Sequence, residues 1–229
     1  MLQRLTLVLL IIALAGAAGS AQVAAVRETW APAADVAVFR AVNSGMRNPF
    51  FDLAMPFITD FDNWRVLLLL VWLAMLVFGG RRGRWAAVLL VLAVAASDQV
   101  CASVIKPLVG RLRPCEVLGQ VHFWNDTHGW ITTPAVVTGS FKSSFSFPSN
   151  HASNITAAML LLGLVYRKAL PWLLLVALTV SFSRVYTGVH WPLDVVAGMA
   201  VGAVLAWLAW LAFRRVMARR KPAGRHTCF

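Results

Sequence analysis

The sequence predicts an all-α membrane protein: a polytopic bundle of six transmembrane helices with a short interfacial helix and a long outer loop. Hydrophobic residues make up 59% of the chain and charged residues 13%, with a mean hydropathy of +0.71. A soluble domain is about one quarter charged. The apolar residues collect in long runs that lack the period-two alternation of a membrane β-barrel. The length of 229 residues suits one compact bundle, so residues 1–229 are predicted to form a single membrane domain.

Each predicted span is a run of apolar residues. In chain order the runs are Leu5–Val26, Val66–Phe78, Trp85–Ile105, His151–Val165, Pro171–Phe182 and Trp191–Phe213. Several are shorter than the roughly 20 residues that cross a bilayer, and we expect flanking polar residues to complete them. The first run has an alternative interpretation as a signal peptide cleaved near Ala15-Gly16-Ala17. Its length favours an uncleaved anchor.

The basic residues predict the orientation of the bundle. With the N-terminus inside, the cytoplasmic segments carry twelve of the 21 lysine and arginine residues and none of the nine acids. These segments are Met1–Arg4, Gly79–Arg84, Tyr166–Ala169 and Arg214–Phe229. This bias is typical of cytoplasmic loops. We therefore expect a multi-pass protein of a bacterial inner (cytoplasmic) membrane with a cytoplasmic C-terminal tail. The net charge of +12 then reflects orientation and anionic lipid, and no nucleic-acid partner is predicted.

Two long segments face the opposite side in this topology. In the first, Arg27–Arg65, the spacing of Ala34, Val36, Phe39 and Val42 predicts one face of a short helix in the membrane interface. The second, Pro107–Pro148, is a loop of a length that is usually functional or disordered. Its aromatic residues either touch the membrane surface or form an ordinary aromatic belt.

Three polar clusters reach this same outer face. They are "KPLVGRLRP" (Lys106–Pro114), "PSNH" (Pro148–His151) and "SRVYTGVHWPLD" (Ser183–Asp194). Singly, these residues have ordinary explanations as interfacial anchors, a helix cap or an ion pair. Because ionisable groups at membrane depth are costly and usually functional, their convergence predicts a basic pocket with two histidines and one carboxylate.

A pocket with three cations favours a phosphate. Lys106, Arg113 and Arg184 supply the charge, since arginine binds phosphate oxygens in pairs and lysine adds a point charge. Ser149 and Asn150 would begin the fourth span, where the free backbone N–H groups of a helix N-terminus suit an anion.

The histidines suggest the chemistry. His190 and Asp194 are four residues apart, so Asp194 can accept a hydrogen bond from one imidazole nitrogen and leave the other as a nucleophile. His151, on another helix, can protonate the departing oxygen. A metal site is disfavoured because only one carboxylate stands among three cations. Cys101, Cys115 and Cys228 are too widely spaced to indicate a zinc or disulfide framework. The sequence therefore predicts no metal and no cofactor.

These motifs resemble the type 2 phosphatidic acid phosphatase (PAP2) family over about Trp85–Phe213. The family pattern has three parts: Lys, six residues and Arg-Pro; then Pro-Ser-Gly-His; then Ser-Arg, five residues, His, three residues and Asp. Here they read Lys106…Arg113-Pro114, Pro148-Ser149-Asn150-His151 and Ser183-Arg184…His190…Asp194.

The resemblance implies metal-independent hydrolysis of a phosphate ester or anhydride through a phosphohistidine. It makes His190 the nucleophile, an assignment that rests partly on the family, with Asp194 as its orienting group and His151 as the general acid. The implied phosphoryl-binding residues are Lys106, Arg113, Ser149, Asn150 and Arg184. Asn150 departs from the family glycine, although asparagine tolerates unusual backbone angles better than most residues. Arg111 lies beside the first motif as an outer contact and is left out of the predicted site.

The substrate prediction rests on a shorter likeness. The stretch "FPSNHASN" resembles the undecaprenyl diphosphate phosphatase branch, which implies conversion of undecaprenyl diphosphate to undecaprenyl phosphate in the bilayer. Lipid A and phosphatidylglycerol phosphate are the alternatives within the family. A non-catalytic protein that binds or transports a lipid phosphate is the alternative of another class.

Overall fold

The computed structural model describes residues 30–135 and 144–218, and the chain there is mostly helical. Its helices are α1 (Ala33–Asn43), α2 (Pro49–Thr59), α3 (Arg65–Val77), α4 (Gly80–Gln99), α5 (Pro114–Val117), α6 (Asn150–Val165), α7 (Leu170–Tyr186) and α8 (Pro192–Ala218). Short 3₁₀ helices lie at Phe61–Asn63 and Arg167–Ala169. The predicted first span, Leu5–Val26, with its signal-peptide alternative, and the tail beyond residue 218 lie outside the described residues.

The later apolar runs correspond to α3, α4, α6, α7 and α8. Three helical stretches in the described part are long and apolar enough to cross a membrane: Gly80–Val117, Arg167–Tyr186 and Pro192–Ala218. Helix α3, at 13 residues, is shorter. The predicted fifth run ends at Phe182, whereas α7 continues to Tyr186. The helix is therefore longer than its apolar run, and its last turn includes Arg184.

Helix α6 packs among α4, α7 and α8. Two glycines of α8 allow its close approach, since a Cβ at Gly198 or Gly202 would overlap the carbonyl oxygen of Ser149 or Ser153. At the same crossing, the backbone N–H of Ser149 donates to the carbonyl oxygen of Asp194 at 2.9 Å. The close crossing therefore brings the start of α6 against the first turn of α8.

Helix α1 forms near its predicted position, and Val36, Phe39 and Val42 of the predicted face pack on an apolar cluster of the protein. Asp35, Phe39 and Asn43 are buried at four-residue spacing, whereas Ala34 is exposed. Phe39 packs on Trp191, with ring centroids 5.5 Å apart, inside an apolar cluster at the start of α8. The two buried polar residues find partners in the bundle, so α1 docks on protein through a partly polar face.

The long outer loop is not entirely irregular. Strands β1 (His122–Asn125) and β2 (Gly129–Thr132) form an antiparallel hairpin with Phe123 opposite Ile131. The N–H of Trp124 donates to the carbonyl oxygen of Thr187 at 3.1 Å. The side chain of Asn43 donates to the carbonyl oxygens of His122 and Tyr186 at 2.6 and 2.8 Å. The hairpin is therefore fixed to α1 and to the turn that precedes α8.

Candidate active site

The turn between α7 and α8 presents His190. Gly188 adopts a φ of +76°, and a Cβ there would lie 2.6 Å from the carbonyl oxygen of His122, so this turn requires glycine. Pro192 then begins α8, as proline often does in a first helical turn. Nδ1 of His190 faces Oδ2 of Asp194 at 3.5 Å, and both side chains are buried. The two predicted side chains therefore lie next to each other.

Asp194 has three further donors. Its Oδ1 accepts from Nη1 of Arg111 at 2.6 Å, and its Oδ2 accepts from the N–H of Trp191 at 2.9 Å and from the hydroxyl of Ser146. Ser146 also lies 3.4 Å from Nδ1 of His190. Hydrogen bonds to both oxygens therefore hold the carboxylate of Asp194 in place, independently of His190.

Arg111 connects the site to helix α1. Its Nη2 donates to Asp35, and its Nε donates to the carbonyl oxygen of Trp30 at 3.0 Å. The guanidinium lies 4.7 and 5.0 Å from the ring centroids of Trp30 and Trp191. Asp35 in turn accepts from the N–H of Leu193 at 2.9 Å. Arg111 was not among the predicted site residues, and Asp35 and Ser146 had no predicted role.

Arg113 faces the other nitrogen of His190. Its Nη1 lies 3.2 Å from Nε2 of His190 and donates to the carbonyl oxygen of Val189 at 2.8 Å. Its Nε donates to the carbonyl oxygen of Ser144 at 2.9 Å, and Nη2 donates to the Ser144 hydroxyl at 3.0 Å. If Nδ1 carries the proton toward Asp194, then Nε2 is the acceptor from Arg113.

The remaining predicted cations also surround His190. Burial lowers the pKa of His190 well below its ordinary value, and the charges of Arg113, Arg184 and Lys106 lower that pKa further. Arg184 donates through Nη1 to the hydroxyl of Thr59 at 2.6 Å, and its buried Nε has no hydrogen-bond partner among residues 30–135 and 144–218. Such a cluster favours an anion, because an added negative charge would relieve the mutual repulsion of the cations.

Lys106 lies seven residues beyond the end of α4. A π-helical segment, Val100–Ile105, is followed by one last α-helical turn, Lys106–Val109, which Gly110 ends at a φ of +62°. Pro107 has no N–H to offer the preceding turn. The Lys106 side chain is almost fully buried. A π-helical segment at this point is consistent with a functional role, since such segments recur at functional sites.

The start of α6 places the second motif. Ser149 is buried as the N-cap, and its hydroxyl accepts from the N–H of Ala152 at 3.5 Å. His151 is exposed and lies within electrostatic range of Arg184 and His190. The side chain of Asn150 points elsewhere, since its Nδ2 donates to Asp98 of α4 at 2.8 Å. The side-chain nitrogen of Asn150 is therefore bound to α4, whereas its Oδ1 is buried with no hydrogen-bond partner among the described residues.

The predicted residues thus gather around one histidine, apart from the Asn150 side chain. Within the described ranges, no group of three or more histidine, cysteine, aspartate or glutamate side chains is arranged to hold a metal ion. The donor set consists of cations and hydrogen-bond donors around His190, which is the chemistry of phosphate binding. A buried imidazole with a carboxylate on one nitrogen and a cation beside the other can act as a nucleophile toward phosphorus.

Comparisons with known proteins identify the family. The family model described as the PAP2 superfamily matches residues 86–218. A lipid A 4'-phosphatase of Bacteroides thetaiotaomicron is 30% identical over 181 residues, which cover 77% of this chain and 76% of that protein. An undecaprenyl-diphosphatase of Sulfolobus acidocaldarius is 42% identical over 69 residues, 29% of this chain and 33% of that protein.

A solved structure shares the fold. The crystal structure of a transmembrane PAP2-type phosphatidylglycerolphosphate phosphatase from Bacillus subtilis superposes with a TM-score of 0.61 at 24% identity. The match covers 91% of this chain and 98% of that one. At 24% identity this likeness shows that the two proteins share a fold.

Proposed function

The chain belongs to the PAP2 superfamily and is a phosphatase of that family, and on this premise we propose that it hydrolyses a membrane lipid phosphate through a phosphohistidine at His190. The observation that carries the proposal is the setting of His190. Asp194 lies 3.5 Å from its Nδ1, and Arg113 lies 3.2 Å from its Nε2. The first contact orients the ring, and the second marks where a phosphoryl group would meet the nucleophile.

In the first step, Nε2 of His190 attacks phosphorus and the bond from phosphorus to the leaving oxygen breaks. His151 donates a proton to that oxygen, and Asp194 accepts a hydrogen bond from Nδ1–H as the ring becomes positive. In the second step, water attacks the phosphohistidine while His151 takes its proton. The N–P bond then breaks and inorganic phosphate leaves, with Nε2 free again.

The phosphoryl oxygens are assigned to the cations. Arg113 exchanges Nε2 of His190 for a phosphoryl oxygen, and the unpartnered Nε of Arg184 supports a second contact. Lys106 adds a third positive charge. Ser149 and the backbone of Asn150 bind at the start of α6, where helix N–H groups suit an anion. None of these steps needs a metal or a cofactor.

We propose undecaprenyl diphosphate as the substrate on the sequence likeness, with a phosphorylated glycolipid such as lipid A as the second candidate. The relative named an undecaprenyl-diphosphatase supports the first, although the match covers 29% of this chain. The relative named a lipid A 4'-phosphatase matches 77% of the chain, which favours the second. Phosphatidylglycerol phosphate is the third candidate substrate.

The proposed setting is a bacterial inner membrane, crossed six times by a single domain. Helices α4, α7 and α8 support it by length, α3 and α6 would complete two further spans, and the run Leu5–Val26 would form the sixth. With the arginine-rich ends in the cytoplasm, the site faces the periplasm or exterior, where a lipid phosphate reaches it from the bilayer surface.

The test is phosphate release by the purified protein in detergent containing EDTA, with each of the three lipid phosphates. Wild type is compared with His190→Ala and with His128→Ala, a control histidine that is exposed on the hairpin. We expect release that survives EDTA, disappears in His190→Ala and persists in His128→Ala. Binding of a lipid phosphate with no release from any substrate would instead support the non-catalytic alternative.

A further inference from the structure

A buried chain of alternating charges runs from helix α1 to the proposed nucleophile. Asp35 holds Arg111, Arg111 holds Asp194, and Asp194 faces His190. Asp35 and Arg111 are 76 residues apart in sequence. The proposed mechanism uses Asp194 and His190, but it gives Arg111 and Asp35 no part.

The three charged side chains are sealed from solvent. The side chains of Arg111 and Asp35 are each 1% exposed, and that of Asp194 is fully buried. The rings of Trp30 and Trp191 flank the guanidinium. Water therefore cannot replace a lost partner, and removing one charge from such a network leaves another buried and uncompensated.

The hydrogen bonds also fix positions. Arg111 occupies Oδ1 of Asp194 at 2.6 Å, so the face that the carboxylate turns toward Nδ1 of His190 depends on where the guanidinium lies. Asp35 sets that position and also accepts from the N–H of Leu193 at 2.9 Å, in the first turn of α8. A shift of α1 would therefore move the carboxylate relative to the imidazole.

We infer that Arg111, held by Asp35 of α1, is a positioning residue that orients the His190–Asp194 pair for phosphoryl transfer. The inference rests on the proposed function. Helix α1, which lies outside all three sequence motifs, thereby becomes part of what sets the reaction rate. Neither residue touches the substrate, so the effect falls on turnover, and substrate binding by Lys106, Arg113 and Arg184 is retained.

The experiment compares Arg111→Gln, Arg111→Lys and Asp35→Asn with wild type, using the lipid phosphate that wild type hydrolyses best. Arg40→Ala is the matched control, because Arg40 also anchors α1, through the carbonyl oxygens of Gly119 and Gln120, but has no contact with Asp194. We expect kcat to fall about 100-fold in Arg111→Gln and about tenfold in Asp35→Asn, with KM unchanged. Arg111→Lys should recover part of the loss, and Arg40→Ala should keep wild-type kcat.

The pH profile separates positioning from a purely structural role. The charged and titratable groups that face the His190–Asp194 pair are Arg111, Arg113, Arg184, Lys106, His151 and, through Arg111, Asp35. Loss of the cation in Arg111→Gln favours proton uptake by the pair, so the acid limb of kcat/KM should move to higher pH by about 1 unit or more. Loss of the anion in Asp35→Asn should move that limb to lower pH. A structural defect alone would not give opposite shifts.

The possible results distinguish failure of the proposed function from failure of the inference about Arg111. If wild type releases no phosphate, or His190→Ala releases it normally, then the proposed function fails. If wild type is active but Arg111→Gln and Asp35→Asn keep wild-type kcat, or move the acid limb in the same direction, then the inference is overturned. Each variant is first checked for a single detergent-solubilised species. Should Arg111→Gln not fold, Asp35→Asn and Arg111→Lys still decide the inference through kcat and the direction of the acid-limb shift.

Discussion

Replacing Asn150 by glycine tests why this chain departs from the family motif. Nδ2 of Asn150 donates to the carboxylate of Asp98 at 2.8 Å, and Asn154, one turn later, donates to the same oxygen at 3.2 Å. The two asparagines therefore tie the first turns of α6 to α4. We expect Asn150→Gly to weaken this link and to leave the backbone at the start of α6 in place.

The magnitude follows from the bond that is lost. A hydrogen bond to a charged group contributes about 1.5–3 kcal/mol. Glycine in place of asparagine adds a few tenths of a kcal/mol in a helix. Asn150→Gly should therefore lower the free energy of unfolding by about 2 kcal/mol. For a chain of this size, that corresponds to a Tm lower by about 4–8 °C.

The assay is thermal unfolding in detergent at one fixed scan rate, with kcat/KM measured on the same samples. Asp98→Ala and the double variant complete a cycle, and the Asn150–Asp98 coupling should be about 0.5–3 kcal/mol. Asn154→Ala is the control that loses the longer bond and leaves the motif untouched. We expect kcat/KM of Asn150→Gly to stay within about threefold of wild type, since the substitution removes a side chain bound to Asp98 and keeps the backbone N–H groups at the start of α6.

Two results would refute this reasoning. An unchanged Tm with no coupling to Asp98 would mean that the 2.8 Å contact does not stabilise the crossing of α4 and α6. A loss of kcat/KM of about 100-fold with an unchanged Tm would mean that the Asn150 side chain itself handles the phosphate.

Three further predictions address packing, pH and phosphate binding. Gly202→Ala places a Cβ against the carbonyl oxygen of Ser153, so we expect the free energy of unfolding to fall by about 1–3 kcal/mol and Tm to be lower. An unchanged Tm would mean that α6 and α8 can separate without cost. The nucleophile must be neutral, and burial with three neighbouring cations holds the pKa of His190 well below its ordinary 6.5, so the acid-side fall in kcat/KM of wild type should be centred below pH 6.5. A fall centred at or above pH 6.5 would contradict this. Thr59→Val removes the acceptor that orients Arg184, so KM should rise about tenfold with kcat retained, and an equal fall in kcat with unchanged KM would place Arg184 in the transition state alone.

Much of the bundle could be predicted because the local amino-acid composition is enough to identify a membrane helix. The apolar run from Trp191 to Phe213 indicates α8, and lipid leaves a helix as the way to satisfy its backbone. The predicted ends of the helices were less accurate. Helix α7 extends past Phe182 to Tyr186 because its last turn is stabilised by contacts with α1 and α2, which hydropathy does not record.

The site could be predicted in part for the same reason. His190 and Asp194 are four residues apart, a separation that local geometry alone can close, and the fixed spacing of the three motifs carried the family resemblance. The side chain of Asn150 was harder to place, because its direction depends on Asp98, which lies 52 residues earlier on another helix.

The sequence by itself determined the helical membrane class, the family and the residues that meet at one end of the bundle, because these depend on composition and short spacings. Only the tertiary structure decided how Asp194 is held. Arg111, Ser146 and Asp35 reach it from separate segments, and Leu193 and Asp35 are 158 residues apart. Such contacts form only when α1 docks and buries these groups together, since in the absence of water each buried charge must find a partner wherever the fold supplies one.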